Sequence, residues 1–270
     1  MKSKISSYPY LVWMAIFIII PLAMIVYFAF TNSNGQFTLE NLTGLGKYTS
    51  VLLRSLKLAA ISTIICLVIA YPIAVILMNS KASSQKTMLM LVMLPMWMNF
   101  LLRTYAWMTL LEKNGLINRF LGLFGIGPFE MINTEGAVIL GMVYNYLPFM
   151  ILPLYSVMIK IDKSVIEAAQ DLGSDSFHVF SKVIFPLSLP GVMSGITMVF
   201  VPAISTFIIS KMLGGGSNLL VGDLIELQFL GNAYNPNLGA AMSLMLMVII
   251  LICMGIMNRF GDEESRGMMI

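Results

Sequence analysis

Charge is what this chain has least of. Only 11% of its 270 residues are Asp, Glu, Lys or Arg, against about a quarter in soluble domains, so water is not its main solvent. Histidine occurs once, at His178, and cysteine twice, at Cys66 and Cys253. A single histidine populates neither a zinc site nor a histidine-bearing catalytic triad. Two cysteines that both fall inside apolar runs read as small packing residues rather than as a disulfide or metal pair. No G-x-x-x-x-G-K-[ST] phosphate loop is present. Gly214-Gly215-Gly216 lacks the lysine that would follow and reads as a flexible connection. There is no G-x-S-x-G or H-E-x-x-H. The net charge of +3 comes without a Lys/Arg cluster, which argues against nucleic acid as a partner. No catalytic residue, no metal ligand set and no cofactor bound by this chain are expected.

What is abundant is apolar sequence. Hydrophobic residues make up 58% of the chain, and the mean hydropathy is +0.87. A helix needs about 20 apolar residues to cross a hydrocarbon core of about 30 Å. Six runs reach that length, at residues 10–30, 56–78, 88–111, 136–158, 183–210 and 238–257. The fold class expected is therefore all-α, a polytopic membrane protein with about six transmembrane helices. The first run follows Lys2 and Lys4, as a signal peptide would, but it exceeds the roughly 7 to 15 residues of a signal core and no small-x-small site follows it. It should stay as a helix. Pro21, Pro72, Pro95, Pro148, Pro153 and Pro202 lie within the runs, where kinks are expected.

Placing the N-terminus in the cytoplasm puts Lys2, Lys4, Lys81, Lys86, Lys160, Lys163, Lys182, Arg259 and Arg266 inside, against Lys47, Lys113, Arg119 and Lys211 outside. That orientation follows the positive-inside rule. Six spans then return the C-terminus, with Asp262 to Glu264, to the same side.

Between the fourth and fifth runs lies a polar loop, residues 167–186, EAAQDLGSDSFHVFSKVIFP. Ile166, Ala169 and Leu172 recur at helical spacing and predict a short helix over 165–172. Gly173 suits a left-handed stop, Ser174 an N-cap, and Asp175 the first turn of a second helix. Pro186 and Pro190 should bend or interrupt the chain as it re-enters apolar sequence. Such a helix-turn-helix, set between two spans, can dock on a partner.

The loop resembles the EAA loop of ABC importer permeases: Glu167-Ala168-Ala169, Gly173, then Val183, Phe185 and Pro186, with Val and Phe where that pattern carries Ile and Leu. The likeness extends over residues 9–260, most specifically in AYPIAVIL after Ile69, LPMWMNFLLRTYAW from Leu94, VYNYLPFMILPLYSVMIKIDKSVIEAAQDLG from Val143 and GGGSNLLVGDLIELQFL from Gly214. These passages are similar to permeases of spermidine/putrescine ABC importers, of the PotB type. The resemblance implies a type I ABC importer permease fold and a prokaryotic plasma-membrane location. It implies a partner set of a second homologous permease, two cytoplasmic ATPase subunits that use the ATP, and an extracytoplasmic polyamine-binding protein. It also implies three segments: residues 1–51 with the first helix and an external loop, a type I transmembrane domain over 52–258, and a tail over 259–270. The EAA loop would be the helix that sits in a groove of the ATPase.

A polycation needs carboxylates and aromatic faces along its path. The candidates are Asp223, Glu226 and Glu112, with Trp97, Tyr105, Trp107, Tyr144, Tyr146 and Tyr155. Asp223 and Glu226 share a face at helical spacing. Asn99, Asn145 and Ser205 are polar within the spans and should face a pore or another helix. Arg103 would repel the substrate, so it should snorkel outward or pair with Glu112. A permease of the same class for sulfate, iron or an amino acid is the first alternative. A secondary transporter or channel, which has no use for an ATPase-docking helix, is the second, and a membrane enzyme the third.

The topology is testable by single cysteines in a background freed of Cys66 and Cys253. Ser174→Cys should react with impermeant thiol reagent only from the cytoplasmic side and Asn218→Cys only from the outer side. Labelling of both from one side would refute six crossings.

Overall fold

In hydrocarbon a backbone has only itself to hydrogen-bond, and this one answers with helices throughout. The computed structural model describes residues 8–216, 218–231 and 233–267; Lys2 and Lys4 lie outside them. In chain order the helices are α1 (Pro9–Ala29), α2 (Glu40–Asn79), α3 (Ala82–Trp97), α4 (Phe100–Leu111), α5 (Leu116–Gly122), α6 (Glu135–Met158), α7 (Lys163–Asp171), α8 (Ser176–Ser205), α9 (Ile208–Leu213), α10 (Val221–Leu230) and α11 (Pro236–Gly267). Five of these stretches are long and apolar enough to cross a membrane: α1, α2, α6, α8 and the Pro236–Met257 part of α11. A sixth crossing exists only as a pair, α3 with the Phe100–Gly122 stretch, bent by 86° at a short break.

That break corrects the expectation of one continuous helix over 88–111. Pro95 stands in a 3-10 turn, Leu94–Trp97, and Met98 leaves the helical region at ψ 148°. Asn99 then starts α4 afresh: its side-chain oxygen accepts the Leu101 and Leu102 N–H groups at 2.8 and 3.4 Å, so the sequence supplies both a stop and a new cap. Two further boundaries differ. The run over 183–210 is helical only to Ser205, because Thr206 is extended and α9 begins anew at Ile208. The last helix continues to Gly267, through much of the expected tail.

Prolines act otherwise than expected at the loop. Pro186 and Pro190 do not interrupt α8; the helix passes both. Immediately before Pro186 the backbone widens into a π-turn, in which Phe185 N–H reaches the Phe180 carbonyl. The same device precedes Pro21, where Ile20 N–H reaches the Ala15 carbonyl. A proline ring collides with the carbonyl four residues back, and one extra residue in the turn moves that carbonyl aside.

The core is the triad α2, α6 and α8. Lipid tails are as apolar as leucine, so these helices gain from close approach rather than from leaving water. Small residues make that approach possible. Ala59, Ser62, Cys66, Ala70 and Ala74 run down one side of α2 with no exposure. On α8, Gly191 and Gly195 meet α6 in a G-x-x-x-G spacing. A Cβ at Gly191 would lie 3.0 Å from the Pro153 carbonyl oxygen and 3.2 Å from Leu154 Cα. One at Gly195 would meet the Met150 sulfur at 2.6 Å. Polar links cross the same seams: Tyr71 Oη on α2 lies 2.7 Å from Ser188 Oγ on α8, and Ser188 in turn donates to the Phe185 carbonyl.

α1 lies outside this core. None of its apolar window is buried, and its C-terminal half packs on α11. The C-terminal end of α1 is held by two amides: Asn237 donates to the Phe28 and Thr31 carbonyls, and Asn41 to those of Ala29 and Thr31.

Rigid backbone opposes Gly191, whereas a flexible thioether opposes Gly195. Gly191→Ala is therefore expected to lower the thermal unfolding midpoint of the purified protein more than Gly195→Ala, with overpacking costs of about 1–3 kcal/mol. Equal midpoints for the two variants would contradict this account of the α6–α8 seam.

Candidate functional site

The polar loop is a short helix, a left-handed turn and a second helix. Asp162 caps α7 by accepting the Ser164 N–H at 3.0 Å. At the other end Gly173 has φ +82°, its N–H meets the Gln170 carbonyl at 2.8 Å, and Ser174 N–H reaches back to the Ala169 carbonyl at 3.1 Å. This is a Schellman ending, which requires the positive φ. The second N-cap is Asp175, not Ser174 as the sequence had suggested: the Asp175 carboxylate accepts the His178 N–H at 2.8 Å. The two residues are comparable caps, and the Schellman bond through the Ser174 N–H sets the register that leaves Asp175 at the start of the next helix. The His178 N–H bond holds the Asp175 carboxyl below its ordinary value. The cap is thus complete at neutral pH and is lost only as pH falls through that depressed value.

The loop presents two kinds of surface. Ile166 and Ala169 turn towards the bundle, while Leu172 is 88% exposed rather than aligned with them. Val165, Ala168 and Leu172 form an outward apolar stripe, with Phe177 beyond it, 72% exposed. Glu167 is exposed and borders a cleft of about 210 Å³ shared with Met78, Asn79 and Ile161. No ion pair engages Glu167 among the described residues. At the far end Val183 lies in the π-turn, and Phe185 and Pro186 open the straight part of α8.

Tyr71 fixes the loop to the bundle and Gln85 ties α3 to α6, and the sequence reading passed over both roles. Tyr71 on α2 touches the loop through Phe180, with ring centroids 5.4 Å apart, and through Phe185, 6.1 Å. Gln85 on α3 donates to the Ser80 carbonyl at 2.9 Å and accepts from Tyr155 on α6 at 3.2 Å. The available signal was a tyrosine and an adjacent proline within an otherwise apolar span.

The candidate path residues divide into three groups. Trp107 and Tyr144 are brought together, with ring centroids 5.4 Å apart and an edge-on arrangement. Tyr146 is buried, its hydroxyl donating to the Pro202 carbonyl at 3.4 Å. Trp97 and Tyr105 stand on an open face beside the break, 71% and 56% exposed. The carboxylates have other engagements. Glu226 holds Lys211 Nζ at 3.0 Å. Asp223 is 2% exposed and accepts the Leu220 N–H at 2.7 Å, a cap on α10. Burial pushes the Asp223 carboxyl above its usual range, with that N–H opposing. Glu112 is exposed at the end of α4, where its carbonyl accepts from Asn118. Asn145 donates to the Gly141 carbonyl and Ser205 to that of Val201, so both serve their own helices.

Arg103 corrects an expectation. It neither reaches outward nor pairs with Glu112, and it is 8% exposed. Its Nε and Nη1 are buried without hydrogen-bond partners among the described residues. Its ring neighbour is Phe100, 6.0 Å from the guanidinium carbon to the centroid. Glu112 is nine residues further along α4, about 13 Å up the axis and half a turn round, which explains why the two do not meet.

A helical bundle with five or six crossings joined by a polar helix-turn-helix loop is a multi-pass membrane protein. The chain belongs to the family described as binding-protein-dependent transport system inner membrane component, whose model matches residues 3–263; it is a transport subunit. The spermidine/putrescine transport system permease protein PotB of Haemophilus influenzae is 38% identical over 264 residues, 94% of this chain and 92% of that protein. The protein of the same description from Escherichia coli K12 is 38% identical over 248 residues, 88% of this chain and 90% of that one. Among solved structures, a bacterial ABC transporter that imports the acidic polysaccharide alginate matches with a TM-score of 0.81 at 15% identity, covering 94% of this chain and 93% of that one. The MetNI methionine transporter matches at 0.59 with 18% identity, over 80% and 95%. These two likenesses establish the fold and nothing finer.

A Cβ at Gly173 would meet nothing within 4 Å, so the penalty there is conformational and not steric. It is about 1–2 kcal/mol for an ordinary L-residue in the left-handed region, and less for asparagine. Hydrogen exchange of the Ser174 amide should accelerate about tenfold in Gly173→Val and by clearly less in Gly173→Asn. The same acceleration in both would show that space, not φ, governs the turn.

Proposed function

We propose that this chain is the permease subunit of an ATP-driven ABC importer of polyamines, spermidine or putrescine, and that it docks its ATPase through the Glu167 to Pro186 loop. The observation that carries the substrate class is the 38% identity, over 94% of the chain, to a protein described as a spermidine/putrescine permease. The docking role is supported by the outward stripe of Val165, Ala168 and Leu172 beside an unengaged Glu167 carboxylate. Helix-in-groove contacts use such a pairing of apolar anchors with a charged group that accepts hydrogen bonds.

In this reading the chain has no ATPase or other enzymatic activity and binds no cofactor; ATP is used by two cytoplasmic ATPase subunits. The remaining partners are a second homologous permease, an extracytoplasmic polyamine-binding protein and the surrounding lipid. Both termini and the loop lie in the cytoplasm of a prokaryote, and the Lys211–Glu226 pair lies at the outer side. The coupling residues are Glu167, Ala168, Ala169, Gly173, Val183, Phe185 and Pro186. Rigid caps at Asp162 and Asp175 let force on α7 reach α8 without being absorbed in the turn, and Tyr71 relays it to α2.

Along the path, Trp97, Tyr105, Trp107, Tyr144 and Tyr146 offer ring faces for ammonium groups. Glu226 offers the charge. The Lys211 ammonium that now occupies it is chemically the same group as a polyamine end, so an incoming amine replaces like with like. Asp223 contributes by holding α10 in place, and Glu112 by its negative charge at the outer end of α4.

The test is uptake of labelled spermidine and putrescine by vesicles carrying the complete importer, with ATP inside. ATP-dependent uptake is expected, reduced severalfold by Glu226→Gln and abolished by Gly173→Leu at normal membrane levels. ATP-driven uptake of sulfate or an amino acid, with polyamines excluded, would overturn the substrate class. Full uptake by Gly173→Leu with its ATPase still bound would overturn the coupling role.

A further inference from the structure

The break between α8 and α9 gathers oxygen atoms and lacks donors for them. α8 stops at Ser205 because Thr206 turns extended, at ψ 144°, and α9 starts anew at Ile208. The last carbonyls of a helix have no intrahelical partner and carry the negative end of its dipole. Here the Ser205 and Thr206 carbonyls accept no hydrogen bond among the described residues. Both press on Gly222 of α10, where a Cβ would lie 2.6 Å from the first and 2.5 Å from the second. Only a glycine lets the backbone of α10 come this close to the end of α8.

The next residue is Asp223, 2% exposed. Its Oδ2 accepts the Leu220 N–H at 2.7 Å, while its Oδ1 is buried with no partner among the described residues. The Ser210 hydroxyl lies beside the carboxyl, but it gives its proton to the Phe207 carbonyl at 3.0 Å and has only lone pairs left for Asp223. Lys211 acts on Asp223 only at a distance, because its ammonium is bound to Glu226 at 3.0 Å. A proton on Oδ1 would supply one hydrogen bond and leave at least one of the two carbonyls bare. A hard cation answers several oxygens at once, and donor-free carbonyls at helix breaks hold sodium in membrane proteins in this way.

We propose that Asp223 Oδ1, the Ser210 hydroxyl and the Ser205 and Thr206 carbonyls form a site for one sodium ion, which ties the α8–α9 break to α10. One carboxylate among neutral oxygens balances a single positive charge, which selects an alkali ion over calcium. The burial of Asp223 suits a bare ion better than an amine that trails an alkyl chain. Val221 N–H already joins α10 to Ser55 Oγ of α2 at 2.9 Å, so the ion completes a junction of α2, α8 and α10. No such ligand set is visible in the sequence, because backbone carbonyls supply part of it.

The test is the thermal unfolding midpoint of the full chain in lipid nanodiscs, in sodium chloride against choline chloride at equal ionic strength and pH. Sodium in about tenfold excess over its half-saturating concentration should raise the midpoint by about 2–4 °C, since an ion bound only by the folded state stabilises it. Asp223→Asn should lose that shift and stay folded, because its amide oxygen still accepts the Leu220 N–H while its NH2 donates to the carbonyls. Glu130→Gln, which removes an exposed carboxylate elsewhere, should keep the shift. A midpoint that does not distinguish sodium from choline would overturn the proposal; if it rises only as pH falls, the occupant is a proton. An equal shift in Asp223→Asn would also overturn it, as would stabilisation by spermidine and not by sodium. If Asp223→Asn fails to fold, Ser210→Ala decides: it leaves the capping carboxylate in place and should raise the half-saturating sodium concentration severalfold, and an unchanged value would overturn the site. None of these readouts depends on polyamine uptake, so the importer reading stands or falls separately.

Discussion

Hydrocarbon will not hydrogen-bond to a peptide group, and the architecture follows from that refusal. It explains why helices account for every crossing and why each proline needs an accommodation. Pro21 and Pro186 are each preceded by a π-turn that moves the obstructed carbonyl aside, so the helix continues. Pro95 is handled otherwise, with a 3-10 turn and a fresh N-cap at Asn99. The same constraint shapes the polar residues: the hydroxyls of Thr63, Thr104 and Ser205 each bond a carbonyl four residues back in their own helix.

Because lipid provides no drive for helices to leave it, contact between α2, α6 and α8 depends on shape. Glycines at 191 and 195 let α8 lie against α6 at a distance that only backbone can reach, and small residues do the same along α2. A seam of this kind is stiff. Tyr71 adds a lateral tie between α2 and the loop end of α8. The stiffness is local to the core; α3 and α1 are outside it.

Much of this was legible in the sequence, and the reasons for the exceptions are physical. Hydropathy counts apolar residues, so it located the crossings, but it is blind to direction and could not reveal that residues 88–111 turn by 86°. The Pro95 and Asn99 signals were both present and were read as a kink and a pore-facing amide. The left-handed turn at Gly173 was legible because only local geometry is involved. The neighbouring cap was misplaced by one residue because Ser174 and Asp175 are both good caps and the Schellman bond decides between them. Asp223 and Glu226 do share a helix, as their spacing implied. Spacing carries no information on burial, however, and the contacts of Asp223 with Leu220 and of Glu226 with Lys211 come from folding. Arg103 was misread for the same reason.

The placement of α1 bears on how the molecule is made. It is the earliest described helix to leave the ribosome, yet its neighbour is α11, and the Asn237 amide that grips its C-terminal end bonds a residue 206 positions earlier. During synthesis α1 must therefore wait in the bilayer without its main helical neighbour, held only at its C-terminal end through Asn41. Its apolar surface suits such a wait, and the α1–α11 seam can form only once α11 has been made.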